Sequence, residues 1–550
     1  MSTLSRRAGL GSRFSLLLAP VLVTGTAATA LAYFAFSTAY PAPMMSGSTA
    51  NTTGEFAIES IFTVGETLAN GYTPAGVLDG ITAFDGPGDT VRVLVHHELN
   101  NDDGYAYSLS GATGPYSLTG ARVSYLDIDP LTREIVDGGL AYDRAYDRAG
   151  SLVSDASQIN EAGDPLRGFA RFCSAAGVAA GEYGFVDDIH FANEESDNGS
   201  VWAIDIAGRD IWAVPALGRG AWENVTVMDS GQDDLVAILL GDDTAPAPLY
   251  LYVGRKDAID DGSFLDRNGL AVGQLYAWVA DGPKMSRPTT PEDFNGTGSS
   301  LSGNFRKVRT WQNGKAGKDG YDALGYLDDV TLRAEAAKAG AFFFSRPEDV
   351  STNPTMGNQA VFASTGRGQL YPSDNWGALY IVTIDFSKLA DESSPNNLGA
   401  GISILYDGDD TANQDFGIRS PDNLDWADDG FIYAQEDRST SPGSLFGGTS
   451  SIEASLWKVD PYSGAAWRVG EIDRSVVVPV GVTDSGAGDI GNWESSGVLD
   501  VTGLFGGTPG VDTILIADVQ AHGIRDGIIG GDGNLVQGGQ LIILTKVAGE

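Results

Sequence analysis

Short runs in which apolar and polar residues alternate, separated by turn residues, make up most of the chain. The runs are rich in aromatic and β-branched residues and often end in Asp. Examples are RVSYLDID from Arg122, SVWAIDIA from Ser200, PLYLYVG from Pro248, QLYAWVAD from Gln274, ALYIVTID from Ala378, SLWKVD from Ser455 and QLIILTK from Gln540. A period of two is typical of half-buried β-strands, and turn residues between two such runs predict hairpins. The pattern therefore predicts an all-β protein.

Sustained helical periodicity occurs in one convincing stretch, DDVTLRAEAAKAG, which has an acidic start and a glycine stop. It predicts a short helix inserted between strands. A β-propeller accommodates many short strands without exposing long sheet edges. We therefore predict a β-propeller with loop and short helical insertions, and no change in composition divides residues 56–550 into separate domains.

Residues 1–32 are predicted to be an export signal. A basic start that includes Arg6 and Arg7 precedes a mostly apolar run with a small-residue ending, as in secretory signals. The arginine pair indicates the twin-arginine route. The alternative is an uncleaved membrane anchor, because apolar residues continue to Phe36. Residues 33–55 are predicted to be a polar linker, and the mature protein is expected to be extracellular or periplasmic.

Composition narrows the partners that the protein can have. The 550 residues carry a formal net charge of −39. Such a surface repels nucleic acid and anionic membranes, so we expect neither as a partner beyond export or an N-terminal anchor, and we expect a monomer. An anionic substrate can approach only where cations or arginines reverse the local field. The single cysteine, Cys173, excludes an internal disulfide, so its thiol is either buried and inert or bound to a metal.

Carboxylates recur where the strand-like runs end, beginning with Glu98 in VLVHHELNNDDG. The further candidates are Glu194 and Glu195, Glu223, Asp242 and Asp243, Glu348 and Asp349, Asp422, Glu436 and Asp437, and Glu494. Neighbours on a strand point to opposite faces, so only one member of each adjacent pair can reach a common centre. Carboxylates about 4 Å apart repel by roughly 4 kcal/mol per pair at an effective dielectric near 20, which bound cations relieve. Oxygen donors suit Ca²⁺, whereas a thiolate selects a transition metal.

Several of these segments resemble, in the same order, the motif series of the PhoX family of secreted alkaline phosphatases. They are HHELNN, RFCS, NEES, GRGAWENV, GDD with PLYLYVG, FSRPED and SPDNLDWADDGFIYAQED. The resemblance extends roughly from Gly80 to Lys546. It implies a six-bladed propeller with an iron and calcium cluster at its centre, which hydrolyses small phosphate monoesters outside the cytoplasm.

The resemblance also implies roles for individual residues. It makes Cys173 the thiolate ligand of Fe³⁺, and Arg346 the residue that binds the substrate phosphate, in agreement with the fork geometry of a guanidinium. It implies carboxylate ligands of Ca²⁺ or Fe³⁺ at Glu98, Glu223, Glu348, Asp422, Asp437 and one of Glu194 and Glu195. His96 and His97 are expected to lie in the core or behind the ligands.

Two departures from the family's pattern concern the substrate pocket. The chain lacks a Thr-Pro-Trp-Gly-Thr segment after Ser174, and Trp222 stands where a histidine is common. Two other functions are therefore kept as alternatives. One is a calcium-dependent propeller hydrolase of other specificity, such as a phytase-like, phosphodiesterase or lactonase activity. The other is a noncatalytic, calcium-stabilised surface protein.

Overall fold

The computed structural model describes residues 38–160 and 166–547. The predicted export signal lies outside these residues, as does the start of the predicted linker. The rest of that linker lies against the sheets: β1 (Met45–Ser46) pairs with the strand that ends at Ile472, and Met44 and Met45 are fully buried. The folded part therefore begins before β2 (Phe56–Thr63). None of the described helices is long and apolar enough to cross a membrane.

The strands that follow fall into six antiparallel groups of four, which we call blades 1 to 6. Blade 1 contains β3 (Leu78–Asp85), β4 (Val91–His97), β7 (Arg122–Ile128) and β8 (Ile135–Leu140), with β5 (Tyr107–Gly111) and β6 (Gly114–Leu118) as an inserted hairpin. Next comes β9 (Arg144–Tyr146), which pairs in parallel with the outer edge of blade 2. Blade 2 contains β10 (Phe172–Val178), β11 (Ile189–Gly199), β12 (Val201–Asp205) and β13 (Asp210–Ala213).

Blades 3 and 4 are joined at their outer edges. Blade 3 contains β14 (Gly220–Met228), β15 (Leu235–Asp242), β16 (Tyr250–Arg255) and, after helix α1 (Phe264–Arg267), β17 (Gly273–Ala280). The joining strand is β18 (Ser300–Val308), and helix α2 (Asp329–Ala339) follows it. Blade 4 contains β19 (Pro347–Thr352), β20 (Gln359–Ser364), β21 (Ala378–Asp385) and β22 (Asn397–Asp407). The predicted helix is confirmed, with Asp328 as its N-cap and a left-handed Gly340 at its end.

The last two blades take up strands from the amino terminus. Blade 5 contains β23 (Pro421–Trp426), β24 (Ile432–Glu436), β25 (Ser455–Val459) and β26 (Ala466–Ile472), with β1 at its edge. Blade 6 contains β27 (Glu494–Asp500), β28 (Ile514–Ala521) and β29 (Gly538–Lys546), and β2 is its fourth strand. A strand from the amino terminus therefore closes the carboxy-terminal blade. All seven runs named in the sequence analysis contain strands, so those predictions are confirmed.

The first strands of the blades surround a central channel. Each of them, β3, β10, β14, β19, β23 and β27, contacts the next, and β27 contacts β3, so the ring is closed. The prediction of a β-propeller is confirmed. Apolar side chains pack between neighbouring blades in large buried clusters. At the channel the backbones approach closely: a Cβ on Gly80 would lie 2.6 Å from the carbonyl oxygen of Cys173, so only glycine fits there.

Candidate metal centre

Blades 1 to 5 repeat one local arrangement at the same end of the channel. A residue at or near the start of each first strand pairs with the second strand, at the end of that strand in every blade except blade 2. The five pairs are Leu78 with His97, Phe172 with Glu194, Trp222 with Asp242, Pro347 with Ser364, and Pro421 with Glu436. In every case the residue that follows each member of the pair is polar. The pairing therefore brings two polar side chains from each blade to one end of the channel.

We call the two resulting sets the inner donors and the outer donors. The inner donors, on the first strands, are Asp79, Cys173, Glu223, Glu348 and Asp422. The outer donors, on the second strands, are Glu98, Glu195, Asp243, Thr365 and Asp437. In all five blades the strand pairing shifts register directly after the first-strand pair residue. Such bulges bend a strand and redirect its side chains, which accounts for the convergence of the donors on the channel.

Seven of these ten donors form three overlapping groups, and within each group the candidate ligand atoms lie within 4.8 Å of one another. The first group is Asp79, Glu98 and Cys173. The second is Cys173, Glu195 and Glu223, and the third is Glu223, Glu348 and Asp422. Cys173 and Glu223 each belong to two groups, so the three are continuous. A thiol and several buried carboxylates in this arrangement can hold more than one cation.

The electrostatics of the cluster also favour cations. Burial, together with Asp79 and Glu223, raises the pKa of the Cys173 thiol well above its usual range. Burial and Glu98 raise the pKa of Asp79 to about 8. The pKa values of Glu223, Glu348 and Asp422 are raised well above their usual range, mainly by burial. One oxygen of Asp422 is buried and has no hydrogen-bond partner within residues 38–160 and 166–547, so it is available as a ligand. The residues present therefore fit a metal centre.

Of the predicted ligands, Glu98, Cys173, Glu195, Glu223, Glu348 and Asp422 lie in these groups. Asp437 lies above them in the cavity at the mouth of the channel. Burial raises its pKa, which His522 and Arg346 partly offset. Asp437 is thus an outer donor that faces the cavity.

Of the two alternatives Glu194 and Glu195, only Glu195 belongs to a donor group found among the described residues. The Glu194 carboxylate accepts hydrogen bonds from the indole nitrogen of Trp202 at 3.0 Å, the backbone nitrogen of Ser200 at 3.0 Å and that of Ala170 at 3.1 Å. Because neighbours on β11 point to opposite faces, Glu194 lies inside blade 2 while Glu195 faces the channel. The same alternation turns Asp349 away from the centre toward Asn224 and the backbone of Leu424.

Arg346 lies directly beside the donors. Its Nε and Nη2 donate to the two carboxylate oxygens of Asp243 at 2.6 and 2.8 Å. Its Nη1 donates to Ser439 Oγ at 2.7 Å, and Nη2 is 3.1 Å from Glu348 Oε1. Burial acts to raise the pKa of Asp243, but Arg346 outweighs it and the pKa is lowered. This side chain therefore brings a fixed positive charge to an otherwise acidic centre.

The two histidines of the HHELNN motif are core residues, as expected. His96 Nδ1 donates to the carbonyl oxygen of Cys173 at 2.7 Å, so its Nε2 accepts a 2.7 Å hydrogen bond from His190. Burial lowers the pKa of His96 to about 4, which keeps the ring neutral. His97 contacts Ser124 Oγ at 2.6 Å. The two histidines therefore fix the position of β4, which precedes Glu98. His96 also fixes the backbone of Cys173.

Sequence reasoning missed Asp79 and Arg171, and noted Asp243 and Glu494 without giving them a role. A signal for Asp79 was present. The first strands begin with an apolar or proline residue, a donor, a small or polar residue and an apolar one: LDGI, FCSA, WENV, PEDV and PDNL. This weak repeat is recognisable once the blades are aligned. Blade 6 departs from it, since Glu494 pairs directly with Gln520 and His522 lies 3.2 Å from the Glu494 carboxylate.

Above the donors lies a cavity of about 380 Å³ with a polar lining. Its walls include Glu98, Asn100, Asp103, Arg171, Asp437, Glu494, Gln520, His522 and Arg525. Both departures from the PhoX pattern lie elsewhere. Trp222 is buried in the core of blade 3, where it packs against Tyr250. The segment after Cys173 continues along β10 and lines a second cavity of about 380 Å³, which also includes Asp349 and Asp425. Neither Trp222 nor this segment lines the cavity above the donors.

Comparisons with known proteins agree with this arrangement. The family model described as "Alkaline phosphatase PhoX" matches residues 167–461, more than half of the chain. The structure of Pseudomonas fluorescens PhoX in complex with vanadate, a transition state analogue, is similar with a TM-score of 0.57 and 16% identity, over 93% of this chain and 98% of that one.

Two other solved structures are much less similar. A puromycin hydrolase has a TM-score of 0.22 and 14% identity, over 68% of this chain and 46% of that one. A quinohemoprotein alcohol dehydrogenase of Pseudomonas putida has a TM-score of 0.25 and 13% identity, over 83% and 76%. Neither of these two similarities supports an inference about this chain. No curated protein sequence matches the chain.

Proposed function

Because this chain belongs to the PhoX alkaline phosphatase family and is a phosphoric ester hydrolase, we propose that it hydrolyses phosphate monoesters at the inner and outer donors. The observation that carries the proposal is the convergence of a buried thiol and buried carboxylates below a polar cavity large enough for a small phosphate ester. Without bound cations, so acidic a site would repel the negative charge of a phosphate.

We further propose that the cations are Ca²⁺ and Fe³⁺. The carboxylates of Glu223, Glu348 and Asp422 are hard oxygen donors, which suit Ca²⁺. The Cys173 thiolate would hold iron, with Glu195 and Glu223 beside it. When bound, such cations neutralise the phosphoryl oxygens, lower the pKa of a water ligand and stabilise the leaving oxygen.

In this proposal Arg346 binds and orients the phosphate. Its planar guanidinium is fixed by Asp243 and Ser439, so little conformational entropy is lost when a phosphoryl oxygen approaches. It would stabilise charge that redistributes over those oxygens in the transition state. Glu348 is held from two sides, by Arg346 and by a 2.6 Å hydrogen bond from Thr365 Oγ1. Arg346 and Glu348 are thus held in place before substrate arrives.

The cellular setting is proposed from the sequence. The predicted signal and the net charge of −39 support a monomeric enzyme that is exported to the periplasm or the medium and acts on small soluble esters. A calcium-dependent hydrolase of other specificity, such as a phytase-like, phosphodiesterase or lactonase activity, would use the carboxylates without Cys173. A noncatalytic protein would need neither the thiol nor Arg346.

A substrate profile with an Arg346→Lys variant tests the proposal. The full chain loaded with Ca²⁺ and iron is expected to hydrolyse phosphate monoesters in preference to diesters and lactones. Lysine retains the charge but loses the fork, so kcat/KM for a monoester is expected to fall about 10- to 100-fold with the metal content unchanged. Arg438→Lys, in which the arginine pairs with Asp489 instead, serves as the control and should retain activity. No turnover of any phosphate ester by the loaded parent would contradict the proposal.

A further inference from the structure

A second arginine, Arg171, is better exposed to the cavity than Arg346. Arg171 lines the cavity above the donors, and 39% of its side chain is exposed. Arg346 does not line that cavity, and only 19% of its side chain is exposed. Of these two arginines beside the donors, Arg171 is therefore the one that an anion in the cavity can reach directly.

The backbone of Arg171 is held in a conformation that is unusual for an L-residue. Its φ is +45°, in the left-handed region. Its N–H donates to the carbonyl oxygen of Leu99 at 2.7 Å, and its own carbonyl accepts from the N–H of Glu195 at 2.9 Å. Such conformations cost of order 1–3 kcal/mol and persist where neighbouring structure determines them, often at functional sites. Here the strain places a long cationic side chain over the mouth of the metal centre.

One edge of the Arg171 guanidinium is used within the protein. Nε donates to Glu195 Oε2 at 3.0 Å, Nη2 also contacts Glu195, and Nη2 is 2.5 Å from Glu98 Oε1. Among the described residues, Nη1 has no hydrogen-bond partner, although all three nitrogens of Arg346 have one. The Nη1 group thus keeps two N–H donors for a ligand in the cavity.

The two arginines lie on either side of the same outer donors. Arg171 holds Glu195 and Arg346 holds Asp243, and each of these two carboxylates contributes to the pKa shift of the other. The positive charges of both guanidinium groups also act to lower the pKa of Asp437. A phosphate above these donors would therefore lie between two positive charges.

We propose that Arg171 is a second phosphate-binding residue, which contacts the phosphoryl oxygens of the substrate through Nη1 while its other edge holds Glu98 and Glu195. This inference rests on the proposed function, since it assigns a further contact for the same ester. It differs from the proposed role of Arg346 in that Arg171 is reached from solvent and is directed by a strained backbone.

The test measures the dissociation constant of inorganic phosphate by calorimetry on the metal-loaded full chain, with the metal content of every sample determined. Arg171→Gln removes the charge and Arg171→Lys removes the fork. Arg209→Gln is the matched control, because Arg209 also has a positive φ, of +54°, also pairs with a carboxylate through Nε and Nη2, and is similarly exposed at 33%, but lies outside the cavity.

Both Arg171 variants are expected to retain their metals and to bind phosphate about 10- to 100-fold more weakly, with the KM of a monoester raised, while Arg209→Gln matches the parent. Unchanged phosphate affinity with intact metals would overturn the proposal. So would a loss of affinity that follows a loss of metal and is restored by excess metal, since Arg171 would then only hold Glu98 and Glu195. A parent that binds phosphate through Arg171 but hydrolyses no ester would refute the proposed function alone.

Discussion

Replacing Glu223 with glutamine is expected to abolish metal binding at the centre and to lower the kcat/KM for phosphate monoesters by more than about 100-fold. Glu223 belongs to two of the three donor groups, one with Cys173 and one with Glu348 and Asp422. The amide has nearly the shape of the carboxylate, so the buried side chain still fits. It lacks the charge that a shared metal ligand needs, and both groups are therefore affected together.

The matched control for this variant is Glu194→Gln. Glu194 is a partly buried glutamate on the same strand as Glu195, but it lies inside blade 2, where its partners are Trp202 and backbone N–H groups from which an amide oxygen can still accept. Metal content and activity should stay close to those of the parent. Equal metal content in Glu223→Gln and Glu194→Gln would show that the donors do not form a metal centre.

Removal of the metals is expected to make folding stability decrease as pH rises. The folded-state pKa of Asp79 is about 8, and those of Glu223, Glu348 and Asp422 are raised well above the ordinary range, with burial as the main cause. Between about pH 4 and pH 8 the folded state therefore binds more protons than the unfolded state, which disfavours folding as pH rises. Each such group costs up to about 1.4 kcal/mol per pH unit within its window.

Unfolding by urea across this pH range, with chelator and with added Ca²⁺ and iron, measures the effect. Bound cations take the place of the protons, so the metal-loaded protein should lose little stability over the same range. The chelated Asp79→Asn variant should show a smaller pH dependence than the chelated parent. Stability of the chelated parent that is constant or increases with pH would contradict the electrostatic account of the centre.

Much of the fold followed from local pattern. Runs such as ALYIVTID predict strands because their side chains alternate, and the acidic start and glycine stop of α2 predict a helix. The long-range pairing could not be read in the same way. That β2 completes blade 6 and β1 extends blade 5 depends on contacts across more than 400 residues, for which the polar segment before Phe56 gives no local signal.

The site residues were predicted only in part, because strand pairing also decides which of them reach the channel. Alternation on β11 requires that Glu194 and Glu195 point apart, but it does not say which one faces the channel; the pairing of Phe172 with Glu194 decides that. Asp79 lies in an ordinary LDGI segment, and only the register with β4 places it beside Glu98. Arg171 depends on a left-handed backbone at a non-glycine residue, which sequence patterns do not predict.

The most direct measurement is elemental analysis of the purified protein beside its Cys173→Ala variant. The account predicts calcium and iron in the parent, and calcium without iron in the variant, because the thiol lies with Glu195 and Glu223 in one donor group and with Asp79 and Glu98 in another. The same metal content in both proteins, with no iron in either, would make Cys173 an ordinary buried thiol and contradict the account.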